Sequence, residues 1–270
     1  MNVVIDGVRY YVDSWGKGFP LLLLHGFTGS STGWKRFQPY WEDHSRAIAL
    51  DIIGHGKSEA PTDLKKYAIE AQANALAALL EKLDIKKTDI LGYSMGGRLA
   101  LTFAVKYPEK VRNLILESSS PGLELESERE ARRKQDWQLS ECIKEKGIEN
   151  FVDYWENIPL FESQKRLPAS RRTELRSERL NQSPLGLMNS LKGMGTGSQP
   201  PWWKELKDLS CPVLLLTGTL DEKFCQLARS MEKEIERSRW ISVENGGHAI
   251  HVEKPEMFGT IVSKYLSQKG

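Results

Sequence analysis

Short apolar runs, spaced by longer mixed stretches, set the rhythm of this chain. Residues 2–12 alternate apolar and polar positions on both sides of Asp6-Gly7, which predicts a hairpin with that dipeptide as its turn. Compact apolar runs follow at 20–24, 46–50, 88–91, 111–116, 213–217 and 240–243. Most are separated by stretches with apolar residues at helical spacing, at about 32–42, 69–83, 96–107, 223–236 and 255–267. This alternation predicts an α/β fold built on a mostly parallel, doubly wound sheet.

One interval breaks the rhythm. About a hundred residues separate the runs at 111–116 and 213–217, and they contain no buried-strand pattern. Residues 122–205 read as mostly helical, with breaks at Pro159, Pro168, Pro184 and Pro200-Pro201. A helical cap inserted into the core is expected there, giving core segments 1–121 and 206–270 around a cap at 122–205. Eight arginines fall in the cap: Arg129, Arg132, Arg133, Arg166, Arg171, Arg172, Arg176 and Arg179. Acidic neighbours balance them, so most belong on solvated helix faces.

Composition narrows the function classes. The 270 residues carry 38 basic and 36 acidic side chains, a net charge of +2 that argues against a nucleic-acid surface spread over the protein. It leaves room for a small basic pocket. No apolar stretch approaches the length of a membrane span, and the N-terminus lacks the pattern of a secretory signal. Cys142, Cys211 and Cys225 have no metal-ligand spacing, so reduced, buried thiols and a cytoplasmic location are expected.

The strongest chemical signal is "DILGYSMGGRLA", residues 89–100. Gly92-Tyr93-Ser94-Met95-Gly96 follows a strand and opens a helix, the context in which Gly-x-Ser-x-Gly lifts a serine hydroxyl above the sheet edge. Gly56-Lys57-Ser58-Glu59-Ala60 is a decoy that lacks the final glycine. A serine needs a histidine to take its proton and a carboxylate to orient that histidine. Of five histidines, His44 reads as surface, and His25 and His55 precede glycines in loops where backbone roles are expected. His248 follows Asn245-Gly246-Gly247 just after the last strand and is the chosen base, with His251 its competitor. Asp221 lies just past the 213–217 run and is the chosen acid; Glu117 is the alternative, and Asp51 reads as a turn residue. The order Ser94, Asp221, His248 is that of an α/β-hydrolase triad. Two N–H donors for a developing oxyanion would come from the backbones of Met95 and Phe27. The run Gly193-Met194-Gly195-Thr196-Gly197 does not follow a strand and is not a dinucleotide loop.

Nearly the whole chain resembles the α/β-hydrolase superfamily. More narrowly it resembles the 2-succinyl-6-hydroxy-2,4-cyclohexadiene-1-carboxylate synthases of menaquinone biosynthesis. "LLHGFTGS" and "DIIGHGKSEAP" are common in the superfamily. "GYSMGGRLA", "LILESSSPGL", "YWENIPLF", "RSERLNQSPLG", "GMGTGSQPPWW" and "DEKFCQLA" are more specific.

The resemblance implies a lyase acting on 2-succinyl-5-enolpyruvyl-6-hydroxy-3-cyclohexene-1-carboxylate. Ser94, activated by His248, would remove the ring proton beside the succinyl ketone. The enolate would then expel the enolpyruvyl group as pyruvate, with Phe27 and Met95 stabilising its oxygen. No metal or organic cofactor is implied. The partner is a small polycarboxylate, which gives Arg98 a purpose: one turn after the serine, it offers a planar donor fork to a carboxylate, its alternative being a structural ion pair. Arg132 and Arg179 are the cap's matches to further carboxylate-binding arginines, with Arg129, Arg133 and Arg176 as neighbours a turn away. Tyr93 and Trp155 are expected to line the pocket or pack as core aromatics. The competing readings are a carboxylesterase or C–C bond hydrolase with the same triad, and a non-catalytic receptor on the same fold.

Overall fold

Period-two alternation inside the apolar runs explains how one sheet serves two cores. The computed structural model describes residues 1–267. Its strands are β1 (Asn2–Ile5), β2 (Val8–Trp15), β3 (Phe19–Leu24), β4 (Ser45–Leu50), β5 (Thr88–Tyr93), β6 (Val111–Glu117), β7 (Val213–Gly218) and β8 (Ser238–Val243). They form an eight-stranded sheet in the order β1-β2-β4-β3-β5-β6-β7-β8. The β1–β2 hairpin and the β2–β4 pair are antiparallel; every other pairing is parallel.

Leu21, Leu22, Leu23 and Leu24 are all buried, because strands at the centre of a parallel sheet are covered on both faces. Leu22 and Leu24 face a core with Leu76, Leu99 and Phe103, whereas Leu21 and Leu23 face one with Phe37, Trp41 and Phe258. Each such leucine contributes roughly 2 kcal/mol of burial. The covering helices are α1 (Gln38–Trp41), α2 (Ile69–Lys82), α3 (Met95–Lys106) and, among the described residues after the insertion, three more.

Between β6 and β7 run α4 (Glu126–Trp155), a 3-10 stretch at Pro159–Arg166, α5 (Ala169–Leu180) and α6 (Pro184–Met194). Ser183 caps α6 by accepting from the Gly186 amide, and Pro184 occupies its first turn, where a missing N–H costs nothing. Ile143, Phe151, Val152, Leu187 and Leu191 form a small core of their own. The Trp202 and Trp203 indoles donate to Thr102 Oγ1 and the Gly122 carbonyl, tying the end of the insertion to α3 and to its own start. The chain finishes with α7 (Glu222–Glu234), β8, α8 (Ile250–Glu253) and α9 (Pro255–Ser267).

Four local expectations change. The stretch at 32–42 is a 3-10 helix over Ser31–Phe37 followed by one α-turn, since Trp34, Phe37 and Trp41 need only one buried stripe. α4 kinks at Gly147 (φ +80°), a break without proline. His44 is half-buried rather than on the surface, with its ring nitrogens against Ser45 Oγ and Ser263 Oγ. Cys142 and Cys225 are free thiols, also half-buried. Among the described residues, no helix is long and apolar enough to cross a membrane, and no cluster of His, Cys, Asp and Glu could hold a metal.

Candidate active site

The turn from β5 into α3 holds Ser94 at φ +50°, ψ −106°, a conformation costly for any residue with a side chain. Two glycines make the turn possible. A Cβ on Gly92 would lie 2.3 Å from the Gly96 carbonyl oxygen, and one on Gly96 would lie 2.3 Å from that of Leu24. The Ser94 amide donates to the Glu117 carbonyl (2.9 Å), fastening the elbow to β6.

His248 and Asp221 reach the serine from loops beyond β8 and β7. Asp221 Oδ2 accepts from His248 Nδ1 at 2.7 Å, which fixes the tautomer and leaves Nε2 to accept from Ser94 Oγ at 3.0 Å. The imidazole is buried, with the Phe224 and Tyr93 rings centred 4.6 and 5.4 Å from it. The competing residues pair with each other instead. His251 Nδ1 donates to Glu117 Oε1 (2.9 Å), as does the His251 amide (3.0 Å), beneath the Tyr93 ring at 4.5 Å. His25 and His55 serve the backbone as expected: His25 Nε2 accepts from the Ile52 amide and His55 Nδ1 donates to the Ile53 carbonyl. Asp51 accepts from the Ser31 and Lys57 amides, a turn role.

Ser94 opens on a cavity of about 230 Å³, the size of a small-molecule chamber. Phe27, Tyr93, Met95, Arg98, Arg132, Trp155 and His248 all line it. Neither the Phe27 nor the Met95 amide has an acceptor among the described residues. Met95 is the first residue of α3, so the partial positive charge of a helix N-terminus adds to its donor. Trp155 closes the roof, its ring 5.3 Å from Phe27 and 5.7 Å from Phe161.

Arg98 makes no ion pair among the described residues. Its Nη1 donates to the Met194 carbonyl (2.7 Å) and to Gln199 Oε1 (2.9 Å). Burial, with Arg132 nearby, pulls its pKa down to about 10, so it stays charged at neutral pH. Arg132 donates through Nε to Asp136 Oδ1 (2.9 Å). Its neighbours are occupied elsewhere: Arg129 and Arg133 by Glu126, Arg176 by Asp153 and Glu156. Arg179 is not brought to this chamber. It lines two adjoining hollows, donates to Gln164 Oε1 (2.9 Å), and lies over the Phe161 ring at 5.2 Å; Phe161 lines all three spaces.

Sequence reasoning missed Asp136, Phe161, Lys223 and the serines 118–120, which also line the chamber. Lys223 and Phe224 stand in the first turn of the helix after Asp221, a position that could have flagged them. Asp136 carried no signal beyond its i+4 spacing from Arg132.

Comparisons with known proteins agree with this geometry. The profile of the alpha/beta hydrolase fold family matches residues 20–255. A Bacillus subtilis (strain 168) protein, provisionally named 2-succinyl-6-hydroxy-2,4-cyclohexadiene-1-carboxylate synthase, is 46% identical over 99% of this chain and 98% of its own. The Enterobacter sp. (strain 638) protein of that name is 30% identical over 92% of each chain. The solved structure of MenH from S. aureus superimposes with a TM-score of 0.91 at 35% identity, covering 96% of this chain and 98% of that one. By fold, by elbow and by these likenesses, the chain belongs to the α/β-hydrolase family.

Proposed function

We propose that this protein is a carbon–oxygen lyase that eliminates pyruvate from 2-succinyl-5-enolpyruvyl-6-hydroxy-3-cyclohexene-1-carboxylate, giving 2-succinyl-6-hydroxy-2,4-cyclohexadiene-1-carboxylate. One observation carries the reading: an assembled Ser94–His248–Asp221 triad opens on a chamber walled by Arg98 and Arg132. The names of the Bacillus subtilis and Enterobacter relatives support the same activity.

Ser94, its proton passing to His248, takes the proton from ring carbon 2. The electron pair enters the succinyl ketone as an enolate, and its oxygen meets the Phe27 and Met95 amides. The pair then returns through the ring, shifting the double bonds to positions 2 and 4 as the bond from carbon 5 to the enolpyruvyl oxygen breaks. The proton held at His248 passes to the leaving group, which ends as pyruvate. Arg98 and Arg132 hold substrate carboxylates; Arg179 would join them only if Phe161 moved aside. Tyr93 and Trp155 shape the chamber and exclude water. Residues 122–205 act as its cap. A cytoplasmic location is part of this reading, and the free thiols of Cys142 and Cys225 support it.

The test is to incubate protein and substrate and follow pyruvate with a coupled dehydrogenase, then weigh the ring product. Elimination gives a ring product one water lighter than hydrolysis of the same enol ether would. Ser94→Ala should lower the rate at least about a thousandfold. A ring product heavier by one water, keeping a hydroxyl at ring carbon 5, would overturn the mechanism in favour of hydrolysis.

A further inference from the structure

A buried carboxylate in a chamber meant for a polycarboxylate should repel its ligand. Asp136 is such a carboxylate. It lies on the cap helix α4, is only 4% exposed, and lines the chamber with Arg98 and Arg132. Its Oδ1 accepts from Arg132 Nε at 2.9 Å, while its Oδ2 is buried without a hydrogen-bond partner. An i,i+4 ion pair returns little stability, less than burying a half-satisfied carboxylate removes, so folding alone does not account for the residue. The fold nonetheless makes room for it: a Cβ at Gly195, just past α6, would stand 2.4 Å from Asp136 Oδ2.

The geometry points to Asp136 as a positioning residue that aims Arg132 at the substrate. A guanidinium gripped at Nε has its two terminal amino groups turned away from the grip, in the fork that matches a carboxylate. Those terminal groups of Arg132 have no partner among the described residues, and its side chain is 38% exposed. Asp136 also stands in the field of Arg98. Two arginines facing one small chamber repel each other; a carboxylate in the field of both offsets that repulsion and leaves the three side chains together with a charge near +1. The cost of repelling substrate is thereby exchanged for a fork held in place before substrate arrives.

This inference rests on the proposed reaction, and its test separates the two. In the full chain, Asp136→Ala, Asp136→Asn, Arg132→Ala and the Asp136→Ala/Arg132→Ala double variant are compared. Four quantities are read: kcat and KM for pyruvate release, the substrate concentration that half-protects Ser94 from an uncharged fluorophosphonate, and the melting temperature. Asp136→Ala should raise KM and the half-protecting concentration about tenfold while kcat stays within about twofold. Asp136→Asn keeps the shape and one acceptor, so it should fold even if the alanine variant does not and should show a smaller rise in both. In the Arg132→Ala background, loss of Asp136 should add nothing, because the fork it aims is gone. Multiplicative effects in the double variant, or wild-type KM in both Asp136 variants, would overturn the inference. Substrate that protects Ser94 but releases no pyruvate would overturn the reaction and leave the Asp136 comparison readable from protection. Substrate that does not protect the wild type would overturn both.

Discussion

Replacing Arg98 with methionine separates two jobs that the structure gives to one side chain. Methionine matches the length of the arginine stem but carries no charge and no donor. On the binding side, one charge-assisted contact with a carboxylate is worth about 1.5–3 kcal/mol, so kcat/KM for pyruvate release should fall about 10- to 150-fold. On the folding side, the bonds from Nη1 to the Met194 carbonyl and Gln199 Oε1 disappear. Two bonds from a charged donor amount to about 3–6 kcal/mol. Against that, a pKa drawn from 12.5 to about 10 means that the folded protein disfavours this charge by about 3 kcal/mol, a penalty that methionine relieves. The net cost should therefore be about 0–3 kcal/mol, a melting-temperature fall of no more than about ten degrees. The assay pairs coupled pyruvate release with the rate of Ser94 labelling by an uncharged fluorophosphonate. Labelling needs the triad and the two amides but no carboxylate ligand, and should stay within about threefold of wild type. Arg98→Lys, which keeps the charge but not the fork, should recover part of the loss. Equal losses in turnover and labelling, or a much larger collapse in melting temperature, would refute a ligand role and leave Arg98 as a cap anchor.

Two further outcomes follow from the buried histidines. His248→Ala should cost at least about a thousandfold in turnover, whereas His251→Ala should leave the folded fraction active but cost about 3–5 kcal/mol of stability, because Glu117 loses its partner inside the core; urea melts and turnover per folded molecule decide, and the reverse pattern would move the base to His251. Burial pushes His25 down and His55 down to about 3. Above the unfolded value near 6.5 neither state is charged; below it the unfolded chain binds protons that the folded chain resists, so stability should fall by up to about 1.4 kcal/mol per pH unit for His55 between about pH 6.5 and 4, and His25 adds a fall in the same direction. Urea midpoints across that window should slope less steeply in His55→Gln than in wild type.

Much of this fold was readable because its central parallel strands carry compact apolar runs, whereas its helices carry apolar residues at wider spacing. The edges of 88–91, 111–116 and 213–217 shifted by only a residue or two. What local pattern could not supply was the break at Gly147, since glycine is tolerated inside many helices, and the 3-10 geometry at Ser31–Phe37, which uses the same apolar stripe as an α-helix. At the site, Ser94 and Asp221 were legible because chemistry and strand ends coincide there. Loop position alone favours His248 over His251, and no sequence pattern shows that His251 and Glu117 join each other. Arg132 could not be told from Arg129 and Arg133, because facing is settled by how α4 rolls against α6. Asp136 was silent, since its meaning comes from burial.

The loop bearing His248 has a consequence for how the protein is made. Its hydrogen bonds span 154 residues back to Ser94, and the neighbouring His251 reaches 134 residues back to Glu117, while Glu253 accepts from the Gly247 amide within the loop. A nascent chain on the ribosome can already hold the turn at Ser94 and the helices between β6 and β7 while His248 is still unsynthesised. The Ser94–His248–Asp221 arrangement therefore assembles in one step, when residues 248–253 emerge and close onto the sheet. A chain cut between Val243 and His248 would keep every strand of the sheet and lack the imidazole that meets Ser94.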